Sequence, residues 1–274
     1  MLLLVATLCL AGQSSATCCA PDAMAQFAKD PSFLAIHGVP AAFHFLATTG
    51  KTVQFKVSGG PNGSGFYVPP TGKSHAAVVL VHEYWGLNDY IRREAERLNS
   101  NIGAAVLAID LYDGKVATDS ATAAQYMQGV NQERCLAIGA GAVHALKAGS
   151  LGFKAKTIGT VGYCFGGGWS ERTAIVGGKN VQACVIYYGS PDMTPRSLAK
   201  LKAPVLMFEG KKDTWINDEL VGKFASAMKT AGKSLEVHAY DANHAFANPS
   251  NPRYDATAAA DAMKHELAFF KAHL

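Results

Sequence analysis

Residues 157–168 read TIGTVGYCFGGG, and this segment carries the most informative pattern in the sequence. The first half is a short apolar run typical of a buried strand, and the second half is a glycine-rich turn that leads into a helix. The letters GYCFG at 162–166 match the pattern Gly-x-Ser-x-Gly, with a cysteine in place of the serine. This pattern forms a sharp turn that lifts a nucleophile above a sheet, so it predicts Cys164 as a nucleophile. A passively buried cysteine is the alternative for the motif taken alone.

Apolar runs and helical patterns alternate on both sides of this turn. The runs lie at 76–82, 104–111, 157–162, 181–188, 203–209 and 235–240, and the helical patterns at 89–102, 120–148, 169–177, 218–231 and 256–273. Such alternation predicts right-handed βαβ units, and therefore a mostly parallel sheet with helices on both faces. Two earlier segments, 51–57 and 65–68, flank turn-forming glycines and predict an antiparallel hairpin at the sheet edge.

Length and composition indicate one folded domain. The chain has 274 residues, 49% hydrophobic and 17% charged, without a linker or an internal repeat. The net charge is +4 and the basic residues are dispersed, which gives no reason to expect a nucleic-acid partner. We expect a monomer and leave a dimer open.

The N-terminus has the pattern of a signal peptide. Residues 1–16 contain an apolar run that is too short to span a bilayer, and Ser14 and Ala16 are small residues at a plausible cleavage site. This predicts export to the periplasm or the medium. A buried N-terminal segment of a cytoplasmic protein is the alternative, because no basic residue precedes the run. Residues 17–50 form an extension of unknown role, and residues 51–274 form the main domain.

The cysteines and histidines outside the turn give no pattern of a disulfide framework or a metal site. No CxxC is present, and the chain would keep an odd number of cysteines after signal cleavage. Disulfide partners cannot be assigned from this pattern among Cys18, Cys19, Cys135 and Cys184. Of these, Cys135 and Cys184 lie in apolar segments and should be inert buried thiols. Histidines such as His37 show no ligand spacing, so no metal or other cofactor is predicted.

Two polar residues follow predicted strands in the chain order of an α/β-hydrolase fold. Asp213 follows the strand at 203–209, and His244 follows the strand at 235–240. The order nucleophile, acid, base is the one this fold uses, and its strand ends meet at one edge of the sheet. We therefore predict a triad in which His244 takes the Cys164 proton and Asp213 orients the imidazole. Taken singly, Asp213 suits a turn and His244 a solvated loop.

The loop after the strand at 76–82 is expected to complete the site. This fold places one oxyanion-hole amide there and the other directly after the nucleophile, so we assign these donors to the backbone N–H groups of Tyr84 and Phe165. Glu83 lies in the same loop, at the end of an apolar strand, where a carboxylate is costly without a partner. An ordinary ion pair of Glu83 with an arginine or a histidine is the alternative.

These segments together resemble the dienelactone hydrolase family. The matching segments are HEYWG at 82–86, DLY at 110–112, GYCFGG at 162–167, GKKD at 210–213 and HAF at 244–246. The resemblance covers roughly residue 51 to the C-terminus. It implies a Cys–His–Asp triad at Cys164, His244 and Asp213, and a small-molecule ester or lactone as substrate. It also implies that Glu83 contacts the resting thiol and accepts its proton when substrate arrives.

The chain departs from the family pattern where the substrate carboxylate binds. Members that act on the carboxylate-bearing dienelactone hold its carboxylate with two arginines. At those places this chain has the segment Asp113-Gly114-Lys115 and, after the catalytic histidine, Asn248. Lys115 and Arg253 are cations nearby, but neither reproduces a bidentate arginine at the same position. Tyr112 and Trp85 are candidates to line an apolar pocket, although either could be a core residue. We therefore expect a substrate other than dienelactone.

Two classes of function follow from these observations. The first is a carboxylic ester or lactone hydrolase that works through an acyl group bound to Cys164. The second is an exported, non-catalytic binding module that keeps the pocket of a hydrolase. The complete set of triad residues favours the enzyme. A redox role is least supported, because no resolving cysteine lies at short spacing.

Overall fold

The computed structural model describes residues 19–41 and 43–274. The predicted signal peptide, residues 1–16, lies outside the described part of the chain and stays a prediction. Within the described part, none of the helices has both the length and the apolar character that a bilayer crossing requires.

A mostly parallel sheet of eight strands forms the centre of the described structure. Its strands lie in the spatial order β1-β2-β4-β3-β5-β6-β7-β8. Their bounds are β1 Lys51–Phe55, β2 Gly63–Val68, β3 Ala76–Val81, β4 Ala105–Ile109, β5 Thr157–Tyr163, β6 Ala183–Tyr187, β7 Val205–Gly210 and β8 Leu235–Tyr240. The pairs β1–β2 and β2–β4 are antiparallel and the other neighbours are parallel. The α/β-hydrolase fold with an N-terminal antiparallel hairpin is thus confirmed.

The burial of the strands explains why their sequences differ. Every residue of β3 and of β4 is buried, because helices cover both faces of the sheet centre. Runs of valine, isoleucine and alanine suit such strands, since neither face meets water. The edge strand β8 is only partly buried, and its sequence accordingly mixes polar and apolar residues.

Nine α-helices and one 3₁₀ helix, Gly178–Asn180, lie in the described part of the chain. The α-helices are α1 Met24–Phe27, α2 Pro31–Ile36, α3 Asp89–Ile102, α4 Ser120–Gln128, α5 Gln132–Ala148, α6 Phe165–Gly177, α7 Pro195–Lys200, α8 Asp218–Thr230 and α9 Ala256–His273. The single helix predicted at 120–148 was wrong. It divides at Gly129, which ends α4, and the Asn131 side chain begins α5 by accepting the Arg134 N–H.

The N-terminal extension is held against the main domain by buried polar groups. The Arg172 guanidinium is 1% exposed and donates to the carbonyls of Ala20 and Pro21. The Asp192 carboxylate accepts the Ala20 N–H at 2.7 Å, and the Trp169 indole N–H donates to Asp22 at 3.1 Å. Buried charges are stable only when they are paired in this way. The extension is therefore an integral part of the folded structure.

Candidate active site

Cys164 lies in a strained turn between β5 and α6. Its φ angle is +54°, a conformation that side chains rarely adopt. A Cβ atom on Gly162 would lie 1.9 Å from the Gly166 carbonyl oxygen, and one on Gly166 would lie 2.4 Å from the Val81 carbonyl oxygen. Only glycine fits at both positions. The structure thus contains the turn that the sequence motif predicted.

The three predicted triad residues meet at the carboxyl ends of β5, β7 and β8. The Nε2 atom of His244 lies 3.2 Å from the Cys164 sulfur. The Nδ1 atom of His244 lies 2.5 Å from the Asp213 carboxylate. All three side chains are buried, with exposures of 1% for Cys164, 1% for His244 and 3% for Asp213. This is the geometry that a nucleophile, a base and an orienting acid require.

Asp213 is held as an anion despite its burial. Burial alone would raise the pKa of its carboxyl, but attraction to His244, together with the hydrogen bonds from His244, Ile216 and Trp215, leaves that pKa below its usual value. The other carboxylate oxygen accepts the backbone N–H groups of Trp215 at 2.9 Å and Ile216 at 3.0 Å. These bonds fix the carboxylate, so that it in turn fixes the tautomer and the orientation of His244.

A hydrogen bond joins His244 and Cys164, and burial and charge act on the pKa of both groups. Burial disfavours a charged His244, yet the Asp213 carboxylate and the sulfur outweigh it, and the pKa of His244 lies well above its usual value. Burial raises the pKa of the Cys164 thiol, and His244 and the Phe165 N–H oppose this only in part. The Asp213 carboxylate therefore favours the protonated form of His244, whereas burial favours the protonated form of the Cys164 thiol.

The two assigned oxyanion donors belong to different elements of the fold. Phe165 is the first residue of α6, so its N–H has no partner within the helix, and it lies within hydrogen-bonding reach of the sulfur. Tyr84 lies in the loop after β3, and its ring packs against Trp85 at 4.6 Å between ring centroids. The assignment of these two amides as an oxyanion hole stays a proposal.

Glu83 does not contact the Cys164 thiol, although the resemblance to the family implied that it would. Its carboxylate accepts hydrogen bonds from the Tyr188 hydroxyl at 3.4 Å and from the Asn248 amide, and not from Cys164. Asn248 stands where the family pattern has an arginine, and its amide now engages the carboxylate that was expected at the thiol. Burial, opposed chiefly by His244, raises the pKa of Glu83 to about 7.

The partner that takes the expected place of Glu83 at the sulfur is His37, from the extension. Its Nε2 atom lies 3.7 Å from the Cys164 sulfur, and its Nδ1 atom lies 2.7 Å from the Phe33 carbonyl oxygen. A carbonyl oxygen only accepts, so Nδ1 carries the hydrogen and Nε2 presents a lone pair to the thiol. No local spacing in the sequence could reveal this contact, which joins residues 127 positions apart.

The extension also closes the site with an aromatic side chain. Phe33 is fully buried, and its ring contacts Tyr84, Trp215 and His244 at centroid distances of 6.1, 5.3 and 6.0 Å. The one sequence signal for this placement is the Asp30-Pro31 pair, since Asp30 caps α2 and Pro31 is its first residue.

A cavity of about 570 Å³ leads from the surface to His244. Its lining residues come from the extension and from the loops after β7 and β8: Asp30, Ser32, Ile36, Lys212, Thr214, Trp215, His244 and Arg253. Arg253, a candidate substrate-binding residue, thus lines this cavity together with Trp215.

The other candidate substrate-binding residues do not line this cavity. The Lys115 ammonium lies over the Tyr126 ring at 5.5 Å. Tyr112 is 5% exposed and packs against Phe165, and Trp85 is 3% exposed. The core interpretation of these two aromatic residues therefore fits the structure better than a role in this cavity.

Cys135 and Cys184 are isolated buried thiols, as predicted. Burial raises the pKa of each to about 12, so neither forms a thiolate at neutral pH. Cys18 lies outside the described residues.

Comparison with known proteins places the chain in a family. The model of the dienelactone hydrolase family matches residues 64–274. Protein usf of Aquifex pyrophilus is 28% identical over 236 residues, which cover 82% of this chain and 99% of that protein. Carboxymethylenebutenolidase of a Pseudomonas species is 26% identical over 237 residues, which cover 81% of this chain and 95% of that protein.

A solved structure shows the same fold. It is a dienelactone hydrolase-like promiscuous phosphotriesterase from metagenomic libraries, which superposes with a TM-score of 0.71 at 24% identity over 82% of this chain and 99% of its own. The residues that the family model matches include Cys164, Asp213 and His244. This chain therefore belongs to the dienelactone hydrolase family.

Proposed function

We propose that this protein hydrolyses small carboxylic esters or lactones through an acyl group bound to Cys164. Ester and lactone hydrolysis is the activity that family membership supports. The observation that carries the thiol mechanism is the continuous path of hydrogen bonds from Asp213 through His244 to the sulfur, with the sulfur held in a strained turn.

The first half of the reaction forms a thioester. The Cys164 sulfur gives its proton to Nε2 of His244 and attacks the carbonyl carbon of the substrate. The carbonyl oxygen becomes an oxyanion, which the N–H groups of Phe165 and Tyr84 stabilise. The tetrahedral intermediate collapses, the C–O bond to the alcohol breaks, and the His244 cation protonates the leaving oxygen.

The second half releases the acid. His244, neutral again, takes a proton from a water molecule that attacks the thioester carbon. The C–S bond breaks, the sulfur recovers the proton from His244, and the carboxylic acid leaves. Throughout, Asp213 stabilises the His244 cation and keeps Nε2 directed at the sulfur.

We also propose a substrate other than the carboxylate-bearing dienelactone. Asn248 engages Glu83, so its position offers no bidentate cation to a substrate carboxylate. The cavity beside His244 is bounded by Trp215 and Ile36 and by the cation Arg253. This lining suits a short acyl group with a polar end more than a rigid, carboxylate-bearing lactone.

The test is hydrolysis of a chromogenic short-chain ester by the purified chain. Cys164→Ala should lower kcat by a factor on the order of 10³–10⁶, because triad members act as a unit. Cys184→Ala, which changes a buried thiol outside the site, is the matched control and should keep activity. Mass spectrometry of the rapidly quenched enzyme should find the acyl group on Cys164. Full activity in Cys164→Ala would dismiss the mechanism.

Thiol reactivity separates this enzyme from a binding module with the same fold. In a binding module, Cys164 would react with iodoacetamide as an ordinary buried thiol does, whether or not His244 is present. In the proposed enzyme, His244→Ala should slow the alkylation of Cys164, because the imidazole promotes the thiolate.

A further inference from the structure

We propose that His37, Cys164 and His244 form a binding site for Zn²⁺, and that the bound metal holds the hydrolase inactive. The metal binding stands on the geometry of these three side chains alone. The inhibition rests on the hydrolase activity proposed above.

The three potential ligand atoms converge on one point. Nε2 of His37, Sγ of Cys164 and Nε2 of His244 all lie within 4.8 Å of one another. The sulfur-to-nitrogen distances are 3.2 Å to His244 and 3.7 Å to His37. Zinc bonds of about 2.3 Å to sulfur and about 2.0 Å to nitrogen, at tetrahedral angles, place these atoms roughly 3.5 Å apart. Both sulfur-to-nitrogen distances are therefore within a few tenths of an ångström of the value in such a zinc site.

Both imidazoles are already oriented as zinc-bound histidines are. His37 is fixed through its Nδ1 atom by the Phe33 carbonyl oxygen at 2.7 Å, and His244 is fixed through its Nδ1 atom by the Asp213 carboxylate at 2.5 Å. In metal sites, partners of these two kinds set the tautomer and make the opposite nitrogen a better ligand. In both rings the Nε2 atom, which would bind the metal, is therefore directed at the Cys164 sulfur.

The ligand types restrict the class of metal that can bind. One thiolate and two imidazoles suit Zn²⁺ and other late transition metals, whereas Mg²⁺ and Ca²⁺ require oxygen ligands. Three protein ligands leave a fourth position, which a water molecule can fill from the cavity that His244 lines. Charge in that cavity does not select the ion, because its lining contains both an acid, Asp30, and two cations, Lys212 and Arg253.

Zinc at this point would remove two functions at once. It would occupy the sulfur lone pair that attacks the substrate and the His244 nitrogen that accepts the thiol proton. The extension supplies the third ligand, His37, which the hydrolytic steps do not use. The extension therefore adds metal control to a site that the main domain already completes.

The test uses the full chain carrying His265→Ala. This background removes a second group of potential ligands, Glu236, His238 and His265. The protein is stripped with a chelator and titrated with ZnCl₂. We expect tight binding at Cys164, and alkylation of Cys164 by iodoacetamide at least tenfold slower at saturating Zn²⁺, measured on the Cys164 peptide by mass spectrometry. Ester hydrolysis should fall in parallel.

Removing the third ligand is the decisive comparison. In the same background, His37→Ala should weaken zinc binding by at least the 10–100-fold typical of losing an outer partner. His44→Ala changes an exposed histidine of the extension and should leave the affinity unchanged. If His37→Ala fails to fold, His37→Gln offers a polar side chain of similar size.

The outcomes separate the two proposals. Equal zinc affinity in His37→Ala and its parent, or alkylation of Cys164 that Zn²⁺ does not slow, would overturn the metal site. Zinc binding in a protein that hydrolyses no ester would support the site and overturn the proposed activity with its inhibition.

Discussion

Two histidines face the sulfur of Cys164, and they differ in what holds the far side of the ring. His244 comes from the main domain and is bonded to the Asp213 carboxylate, whereas His37 comes from the extension and is bonded to the Phe33 carbonyl. Both therefore carry hydrogen on Nδ1 and direct Nε2 at the same atom. The tautomer is the same, but the charge behind the ring is not.

The charge of the Asp213 carboxylate shifts the pKa of His244 in the direction opposite to that of His37. The Asp213 carboxylate overcomes burial and leaves the pKa of His244 well above its usual value. His37 has no bonded anion, so burial and the nearby His244 lower the pKa of His37 to about 3. Only His244 can accept the thiol proton at neutral pH and so serve as the base, whereas His37 remains neutral and only accepts a hydrogen bond. A buried histidine becomes a base through its partner and not through its position.

Removing the base should have the largest effect. We expect His244→Ala to lower kcat by about 10⁶, because no other group at the sulfur can take its proton at neutral pH. Steady-state hydrolysis of a chromogenic ester measures this. Loss of less than tenfold would show that His37 can substitute, and the contrast between the two histidines would then be wrong.

Removing the charge but keeping the hydrogen-bonding group should have the next largest effect. We expect Asp213→Asn to lower kcat by about 10⁴, because the amide can hold the ring in the wrong tautomer and no longer stabilises its cation. The thermal midpoint serves as the control for folding. Wild-type kcat in a folded variant would show that the carboxylate is not what distinguishes the two rings.

Glu83 allows a test of a buried carboxylate that is not bonded to either ring. Its pKa is raised from 4.5 to about 7 in the folded protein, so the folded protein retains a proton that the unfolded chain loses. The contribution of Glu83 to the free energy of unfolding is therefore complete below about pH 4.5. It falls by about 3 kcal/mol as the pH rises to about 7.

Glu83→Gln should abolish that loss, because its amide cannot ionise. The free energy of unfolding, measured with urea at pH 5 and at pH 8, should then fall less with pH than it does in the wild type. Identical pH dependence in the two proteins would show that Glu83 does not carry the perturbed titration.

The smallest effect is expected at His37. In metal-free buffer, His37→Ala should lower kcat/KM by less than tenfold, because the thiol loses an acceptor but keeps its base. Alkylation of Cys164 should become faster, since the substitution opens space beside the sulfur. His44→Ala provides the comparison on an exposed part of the extension. A loss as large as that of His244→Ala would make His37 a catalytic residue.

Most of the main domain could be predicted because its signals are local. Each strand is a short apolar run, and the reactive residues follow strand ends that the topology brings to one edge. The bounds of α3, α9 and β8 agree with the sequence patterns to the residue. The division between α4 and α5 was missed because one glycine and one capping asparagine interrupt an otherwise continuous pattern.

The contribution of the extension could not be predicted, because its signals are not local. Its helices are of 4 and 6 residues, too short for a periodic pattern. His37 is held near the sulfur by long-range contacts: Arg172 and Asp192 anchor the start of the extension, and the Ser120 hydroxyl donates to the His37 carbonyl. The placement of Glu83 depended likewise on Asn248, a long-range partner that the strand-end rule does not specify.

The strained turn at Cys164 has a consequence for how this site can change. The backbone sets the direction of the Cys164 Cα–Cβ bond, and Gly162 and Gly166 leave the space for this turn. Neither feature depends on the side-chain atom being sulfur. A hydroxyl at the end of the same bond would point the same way. The choice between soft and hard nucleophile is thus a matter of one atom, which selection can exchange while the scaffold stays as it is.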